Sequence, residues 1–312
     1  MSLAISEKQA REIEVFCKIA RENGAVISLR ELKGLAAIEG SEHDLATAFN
    51  SDSKLSSKFF LESGYVLERL PVAYETPKET IEEEERRRER ARDNLRKAGV
   101  FGRSLVGGSV VVSVSGANSF LSAMENEDID FFCVTRTDGM WPFMLKALIL
   151  ARIYRLTRKD VPELCFSCIM DERWATREFR SRQKPIFARD ALTAKVIRGK
   201  VALDSLIEQA SWMEDYFPAF YRMRLRESSP EERKTFRREL DERKSSPVLN
   251  SFVFLTLGSF LRMKSWALNR KFTKAARHSS IFATKIGPGH YIYESNRYRK
   301  LRRMYGVLEK VE

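Results

Sequence analysis

The chain is poor in histidine. Only 3 of its 312 residues are His, and His43, His278 and His290 lie far apart in the sequence. None of them has a neighbouring Ser-Asp or Cys pattern, so the sequence disfavours a Ser-His-Asp or Cys-His hydrolytic site. Gly287 and Gly289 precede His290 in a basic surround, which is compatible with an anion-binding loop. An ordinary turn is the alternative at that position.

Cysteine is also scarce, with 4 residues in the chain. A single Cys-x-x-Cys pair, Cys165 and Cys168, has no second pair to complete a zinc site. Strand alternation would also place these two thiols on opposite faces, so we expect no structural zinc. All four cysteines lie in apolar patterns, which indicates reduced thiols and a cytoplasmic protein: Cys17, Cys133, Cys165 and Cys168.

Long apolar runs are missing. The longest strongly apolar run is FVFLTLGSFL at 252–261. It has about half of the ~20 residues that span a bilayer. Charged residues make up 31% of the chain, and the N-terminal residues MSLAISEKQAREIE contain no signal-peptide core. We therefore expect no membrane-spanning segment and no membrane partner.

Positive charge is in excess, and it is concentrated near the C-terminus. The net charge is +12, and between Arg262 and Glu312 there are 13 Lys and Arg residues against 3 Glu residues. A local basic patch is typical of proteins that contact a polyanion, so nucleic acid is a candidate partner of this region. A basic, solubilising surface is the alternative. The region also interleaves aromatic and basic residues, a mixture that either stacks on bases or packs within a helix: Tyr291, Tyr293, Tyr298, Tyr305, Arg297, Arg299, Arg302 and Arg303.

The length and the 43% content of apolar residues predict two or three domains with hydrophobic cores. In the first, residues 1–76, apolar spacing predicts three helices, and Ser63-Gly64 predicts a hairpin turn. This order of elements is that of a winged-helix-like domain. Its candidate recognition helix, 41–52, carries three acids and few cations. That composition disfavours a DNA-reading role, and many such units only pack against a neighbouring domain.

The second predicted domain, residues 77–172, begins with a charged helix. Glu82, Glu83 and Glu84 each precede an arginine by four positions, an order that stabilises helices, so we expect a solvated connecting helix here. An apolar helix is predicted at 142–156. Alternating or apolar runs predict three strands, at 104–116, 125–135 and 163–170.

The remaining residues, 173–312, are predicted to form a helical, basic C-terminal region. The fold class that we expect is α/β (α+β), with a small mixed sheet, a preceding winged-helix-like unit and this helical region after it. Helices are predicted at 188–199, at 202–217, within 226–246, at 247–278 and at the C-terminal end.

Two aspartates stand at the start of the strand predicted at 125–135. Because strand side chains alternate, Asp128 and Asp130 share one face, whereas Ile129 and Phe131 share the other. Like charges this close raise each other's pKa, and a divalent cation is the usual compensation. The preceding strand ends at Gly116, where the backbone is free to bend towards a phosphate.

These residues carry a family resemblance. SGAN at 115–118 and EDIDFF at 127–132 resemble the motif of the nucleotidyltransferase superfamily of DNA polymerase β. In that motif, Gly followed by Gly or Ser precedes Asp-x-Asp by a short gap. The resemblance covers about residues 10–220. Three further segments resemble landmarks of the bacterial and archaeal group with an N-terminal winged-helix-like unit: TDGMW at 137–141, ELCFSCIMDE at 163–172 and SWMEDYFP at 211–218.

The resemblance implies a Mg²⁺- or Mn²⁺-dependent nucleotidyltransferase. It would move a nucleoside monophosphate from an NTP to a hydroxyl acceptor and release pyrophosphate. Asp128 and Asp130 would be the catalytic residues and the metal ligands. The implied nucleotide-binding residues are Ser115, Gly116, Ala117, Asn118 and Ser119.

Two departures from the family pattern keep alternatives open. Ala117 lacks the hydroxyl that members place there, so Ser115 or Ser119 would have to replace it. The third carboxylate of active members is not evident, because Cys165, Ser167 and Cys168 occupy the middle of the next strand. Asp171 and Glu172 follow only at its end. A catalytically degenerate nucleotide- or nucleic-acid-binding module is therefore the second hypothesis, and a partner subunit with 252–261 at an interface is the third.

Overall fold

The computed structural model describes residues 4–69, 76–105, 107–233, 245–276 and 282–310. It is a mixed α/β protein with a helical majority, one sheet of three strands and one of six. The predicted α+β class is confirmed at this level. The predicted helix within 226–246 falls largely on residues outside the described ranges, as do the last residues of the one predicted at 247–278.

The N-terminal unit has the predicted helices and hairpin. Its turn, Ser63-Gly64, has positive φ angles of 50° and 81°, and Glu62 pairs with Tyr65 across it. This geometry matches the twist of the two strands, which is why a Gly at this place is a strong hairpin signal. The elements are α1 (Glu7–Glu22), β1 (Ile27–Ser28), α2 (Leu29–Leu35), α3 (Glu42–Ser51), α4 (Ser53–Lys58), β2 (Phe59–Glu62) and β3 (Tyr65–Glu68).

The charged helix α5 (Pro77–Ser104) is not the solvated connector that we expected. Glu84 is only 2% exposed, because it faces the N-terminal unit. Its neighbour Arg88 donates a hydrogen bond of 2.8 Å to Glu31 of α2 and lies 3.5 Å from Glu84. Burial raises the pKa of Glu84 to about 7. The helix therefore holds the N-terminal unit against the rest of the chain.

The six-stranded sheet has the order β7-β4-β5-β6-β9-β8. Only β5 and β6 run parallel, as expected for two strands joined by a helical crossover, and the other neighbours are antiparallel. Three of these strands match predicted segments: β4 (Ser109–Val114), β5 (Ile129–Thr135) and β6 (Leu164–Asp171). The predicted apolar crossover helix is α7 (Met140–Thr157).

The C-terminal region is not purely helical, and our expectation for it was wrong in three segments. Residues Lys195–Arg198 form β7, although we predicted a helix over 188–199. Residues Phe282–Gly287 and His290–Ser295 form the hairpin β8–β9, which closes the other side of the sheet. The helices of this region are α8 (Glu172–Arg180), α9 (Pro185–Thr193), α10 (Lys200–Glu208), α11 (Trp212–Tyr216), α12 (Pro218–Arg226), α13 (Pro247–Val253), α14 (Ser259–Ala276) and α15 (Asn296–Tyr305).

Each face of the sheet covers its own hydrophobic core. Ile129, Phe131 and Cys133 of β5 belong to the core under α5 and α7. Phe132 and Val134 belong to the opposite core, which is shared with the N-terminal unit and the C-terminal helices. The alternation predicted for this strand is confirmed, and Asp130 is on the side of Phe132.

A short π-helical turn, Phe254–Gly258, links α13 and α14. A Cβ atom at Gly258 would lie 3.2 Å from the ring of Trp141, so the absence of a side chain lets this segment approach α7 closely. Asn250 accepts a hydrogen bond of 3.0 Å from the Trp141 backbone N–H and fixes the same contact. None of the described helices is long and apolar enough to cross a bilayer.

Candidate functional site

The bend after β4 lies against Asp130. Gly116 has a φ of 67°, a left-handed conformation that favours glycine. A Cβ atom at this position would be 3.2 Å from Oδ2 of Asp130, so a side chain would press on the carboxylate. The backbone N–H of Ser115 donates a hydrogen bond of 2.9 Å to the Asp130 carbonyl oxygen. The glycine bend and Asp130, which the sequence predicted to be neighbours, are therefore in direct contact.

The residues after the bend form the short helix α6 (Gly116–Ser119), and their side chains are mostly used internally. Asn118 is 1% exposed and donates a hydrogen bond of 2.8 Å to the carbonyl oxygen of Asp128. The hydroxyl of Ser119 donates 2.8 Å to the carbonyl oxygen of Gly116. Ser119 is therefore poorly suited to replace the hydroxyl that Ala117 lacks, whereas Ser115 lines the cavity described below.

Asp128 and Asp130 open into the same cavity. Asp128 immediately precedes β5 and is exposed, and Asp130 is the second residue of the strand and is half-buried. The intervening Ile129 is fully buried on the other side of the sheet. Asn118 holds the backbone of Asp128, so the short helix α6 positions one aspartate and the glycine bend contacts the other.

Both carboxyl groups are electrostatically disfavoured as anions. Burial, opposed by hydrogen bonds from Ser167 and Cys165, raises the pKa of Asp130 to about 7, and the nearby Asp128 adds to the rise. Partial burial of its carboxylate also raises the pKa of Asp128, with the charges of Glu163 and Glu127 adding to the rise and that of Arg155 opposing it. Neither aspartate forms an ion pair within the ranges that the structure describes. A cation at this place would offset the repulsion.

Neutral side chains lie on β6 beside Asp130, where the sequence resemblance would place a third carboxylate. Asp130 pairs in register with Cys165 on the parallel strand β6. Cys165 and Ser167 hydrogen-bond to the Asp130 carboxylate, and burial next to that carboxylate raises the pKa of the Cys165 thiol. The thiol is therefore a neutral donor to Asp130 rather than an additional anionic ligand.

Cys165 and Cys168 lie on the same side of the sheet, against our expectation. The register of β5 and β6 shifts between Asp130 and Phe132, because β6 has one extra residue there. Such a bulge changes the alternation, and both cysteines, with Ser167 between them, line the cavity. The cysteines are free thiols.

Asp171 is too far from the aspartate pair to join it. It pairs with Thr135 at the opposite end of β5, five positions beyond Asp130, which corresponds to roughly 16 Å along the strand. Its carboxylate caps α8 by accepting a hydrogen bond of 2.8 Å from the Trp174 backbone N–H. Glu172, the first residue of α8, follows at the same end of the sheet.

Three of the other acids that line the cavity are paired with arginines. Glu127 receives two hydrogen bonds of 2.7 Å from Arg297, and Glu294 lies 2.8 Å from Arg302. Asp190 pairs with Arg189. In the described part of the chain, no three His, Cys, Asp or Glu side chains are arranged to hold a metal ion. The aspartate pair is thus a two-carboxylate site.

The cavity itself has a volume of about 520 Å³. This is within the usual range of small-molecule sites, and a nucleotide is of the appropriate size. One wall carries the aspartates and the glycine bend. A second, basic wall comes from β8, β9 and α15 and contains aromatic and basic side chains: Lys285, Tyr293, Arg297, Tyr298 and Arg302.

This basic wall was not assigned to the site from the sequence. The sequence predicts a basic segment here that either contacts a polyanion or solubilises the surface, because its return to the central sheet depends on pairing with β6. The signal that would have found it is the pair of alternating runs around Gly287-Pro288-Gly289, which predicts a hairpin.

The loop around His290, which the sequence offered as a possible anion site, packs against other parts of the protein. His290 stacks on Trp174 with the ring centres 4.0 Å apart, and burial lowers its pKa. A Cβ atom at Gly289 would lie 2.6 Å from the carboxylate of Asp171, so this loop faces an acid and is unsuited to an anion. His278 is outside the described residues.

Comparisons with known proteins add no assignment. No protein-family model, no curated protein and no solved structure matches the chain. The function is therefore argued from the aspartate pair, its glycine bend and the cavity that they share.

Proposed function

We propose that the chain is a Mg²⁺-dependent nucleotidyltransferase that moves a nucleoside monophosphate from an NTP to a hydroxyl acceptor. The observation that carries the proposal is the position of Asp130. Its carboxylate lies beside the Gly116 bend and opens, with Asp128, into a cavity of about 520 Å³. This combination matches the sequence resemblance at 115–118 and 127–132.

The aspartate pair fits one hydrated divalent cation. Mg²⁺ usually keeps several waters and binds proteins through one or two carboxylates together with substrate phosphates. Asp128 and Asp130 supply two such carboxylates. The charge of Arg155 opposes the rise in the pKa of Asp128, but Arg155 forms its salt bridge with Glu163. When bound, the ion would neutralise charge on the phosphates. A site for two metal ions is less well supported, because Cys165 and Ser167 replace the third acid.

The chain's own groups have separable roles in this proposal. The backbone at Gly116 approaches the phosphates, and Ser115 provides a hydroxyl in the cavity. Ala117 lines a neighbouring cavity instead. Lys285, which also lines the cavity, attracts the triphosphate. Tyr293 lines the same cavity, and burial raises the pKa of its phenol, with smaller contributions from nearby groups that include the two aspartates. An aromatic ring at this position provides a stacking surface for a base.

The direct test is release of pyrophosphate. The protein is incubated with each of the four NTPs, Mg²⁺ or Mn²⁺ and a mixture of hydroxyl acceptors, and pyrophosphate is quantified. We expect release that is lost in the double variant Asp128→Asn with Asp130→Asn. Asp160→Asn is the matched control, because Asp160 is an exposed aspartate paired with Lys97. Equal release by the double variant would refute the site assignment.

A second candidate is nucleotide binding without transfer. The hydrogen bonds from Cys165 and Ser167 to Asp130 favour it, because they fill the place of the usual proton acceptor. This candidate predicts Mg²⁺-dependent NTP binding with no pyrophosphate from any NTP or acceptor. Any turnover that depends on Asp128 and Asp130 would exclude it.

A nucleic-acid partner remains part of the proposal for the C-terminal region. The excess of 13 Lys and Arg over 3 Glu between 262 and 312 supports it. Arg297 and Arg302 face the cavity in ion pairs, so they are engaged within the protein and contribute less to an outer surface. A nucleic-acid affinity that falls steeply with salt would support this partner, and a flat dependence would contradict it.

A further inference from the structure

Two neighbouring helical segments expose large apolar side chains. The segment α13–α14 packs on α7 through Asn250 and Phe254, both of which contact Trp141. The opposite side of the segment is exposed: Leu255 is 66% exposed, Phe252 65% and Trp266 60%. Soluble monomers rarely expose so many large apolar groups together, and such surfaces usually contact a protein or a membrane.

The helix α7 continues this surface. Leu145, Ile149, Ile153 and Leu156 are all exposed, and their spacing of four, four and three residues places them on one side of the helix. The opposite side of α7 carries Ala147 and Ala151, which pack into the core. We call the four exposed residues of α7, with Val248, Phe252, Leu255, Phe260, Met263 and Trp266, the apolar face.

The helical segments that carry the apolar face contain cations and no acids of their own, although Arg155 lies 3.8 Å from Glu163. Neither α7, 140–157, nor the segment 247–276 contains a single Asp or Glu. Lys146, Arg152 and Arg155 lie on α7, and Arg262, Lys264 and Arg270 lie on α14. Arg270 is placed over the ring of Trp266 at 5.2 Å, so cation and indole are adjacent on the surface.

We propose that the apolar face binds to the surface of an anionic lipid bilayer. Apolar side chains enter the boundary between headgroups and acyl chains, and Lys and Arg reach the anionic headgroups from the same helices. Trp is favoured at that depth because its ring is amphipathic. A symmetric contact with a second copy fits less well, because it would bring together helices that carry several cations and no acids of their own.

This mode of contact requires no spanning helix. The expectation of no membrane partner rested on the short run 252–261, on the 31% content of charged residues and on N-terminal residues without a signal-peptide core. These features concern insertion into a bilayer or passage across it and not contact with its surface. A helix that lies in the interface needs an apolar side and a basic flank, and α14 has both. The inference is independent of the nucleotide site, since the aspartate pair is on other elements.

The test is vesicle binding by the full chain. Vesicles of phosphatidylcholine are compared with vesicles of phosphatidylcholine and phosphatidylserine, using sedimentation and tryptophan fluorescence. We expect binding to the anionic vesicles alone, weakened by salt, with a blue shift that Trp266→Phe removes. Trp266 is the reporter because Trp141 and Trp212 are buried and Trp174 is stacked on His290.

Two double variants separate the contribution of apolar side chains to vesicle binding from that of charged side chains. Phe252→Glu with Leu255→Glu should weaken binding about tenfold or more, because charge is placed where acyl chains would be. Arg152→Glu with Lys264→Glu should remove the preference for phosphatidylserine. Met223→Glu is the control, since Met223 is an exposed apolar residue on α12 (51%) outside the face.

Three results would overturn the proposal. One is no sedimentation with the anionic vesicles. Another is equal binding by the Phe252→Glu/Leu255→Glu variant and by the Met223→Glu control. The third is a dimer in light scattering that the Phe252→Glu/Leu255→Glu variant dissociates, without vesicle binding. That result would assign the apolar face to a second copy of the chain.

Discussion

Asp130 has a carboxyl group that is close to half-protonated near neutral pH. Its pKa is raised to about 7 by burial and by the neighbouring Asp128, although Ser167 and Cys165 donate hydrogen bonds to it. A cation must bind the deprotonated form. The electrostatics of this one residue therefore couple metal binding to pH.

The first prediction concerns that coupling. The affinity for Mn²⁺, measured by calorimetry or by electron paramagnetic resonance, should increase as the pH rises from about 6 to about 8. The increase reflects the loss of the Asp130 proton, so it should be absent in Asp130→Asn. An affinity that does not change over this range in the unmodified protein would contradict the assignment of Asp130 as a ligand.

The second prediction concerns the neutral side chain opposite Asp130. Replacing Cys165 by Asp places a third carboxylate in register with Asp130. Without metal, we expect a lower melting temperature, because a further buried anion adds repulsion. With Mn²⁺, we expect at least about tenfold tighter binding, because a ligand is added. Cys168→Asp is the control, since Cys168 pairs with Phe132 rather than with Asp130. The prediction fails if both variants respond to Mn²⁺ alike.

Among the elements, those with strong local signals were predicted from the sequence. The capping box at Ser28, the Ser63-Gly64 turn and the apolar pattern of β5 all depend on neighbouring residues, and the structure confirms each of them. The Asp128–Asp130 face follows from strand alternation alone.

Elements that depend on distant partners were missed. The strand β7 has four residues and follows an alanine-rich helix, so only its pairing with β4 distinguishes it from a continued helix. The hairpin β8–β9 joins the sheet through the pairing of β9 with β6, a contact between residues that are far apart in the sequence. For the same reason the basic wall of the cavity, which begins at Lys285, was not predicted as part of the site.

The third prediction tests how β7 is attached. Gly199 follows the strand with a φ of 77°, and a Cβ atom there would lie 1.9 Å from the carbonyl oxygen of Val110. Gly199→Ala should therefore destabilise the protein by about 2–4 kcal/mol, measured by urea unfolding. The control is Gly99→Ala inside α5, where no atom lies within 4 Å. That change should stabilise by about 0.5–1 kcal/mol. Similar effects of the two substitutions would contradict this packing.

For the molecule as a whole, the N-terminal unit is held by a buried charged contact. Glu84 and Arg88 of α5 meet Glu31 of α2, and one oxygen of Glu84 has no hydrogen-bond partner in the described structure. The i,i+4 Glu–Arg pairs predicted a solvated helix. Such pairs indicate that a helix forms, but they do not indicate which side of it packs against another unit. Burial of Glu84 is a consequence of that assembly.

The fourth prediction is the pH dependence of stability. Glu84 and Asp130 have pKa values of about 7, against ordinary values of 4.5 and 3.8. Because the folded state binds these protons more tightly, their contribution to stability is present at acidic pH and is lost as the pH rises through about 7. The metal-free protein should melt roughly 2–4 °C higher near pH 6 than near pH 8. The double variant Glu84→Gln with Asp130→Asn should lose most of this difference, and an unchanged slope would refute the two values.

The central claim is that the aspartate pair and the glycine bend bind a cation and a triphosphate together. Calorimetric titration of ATP in the presence and absence of Mg²⁺ measures this directly, for the unmodified protein and for Asp128→Asn with Asp130→Asn. We predict that Mg²⁺ strengthens ATP binding at least about tenfold in the unmodified protein and has no effect in the double variant. The same Mg²⁺ dependence in both proteins would contradict the claim.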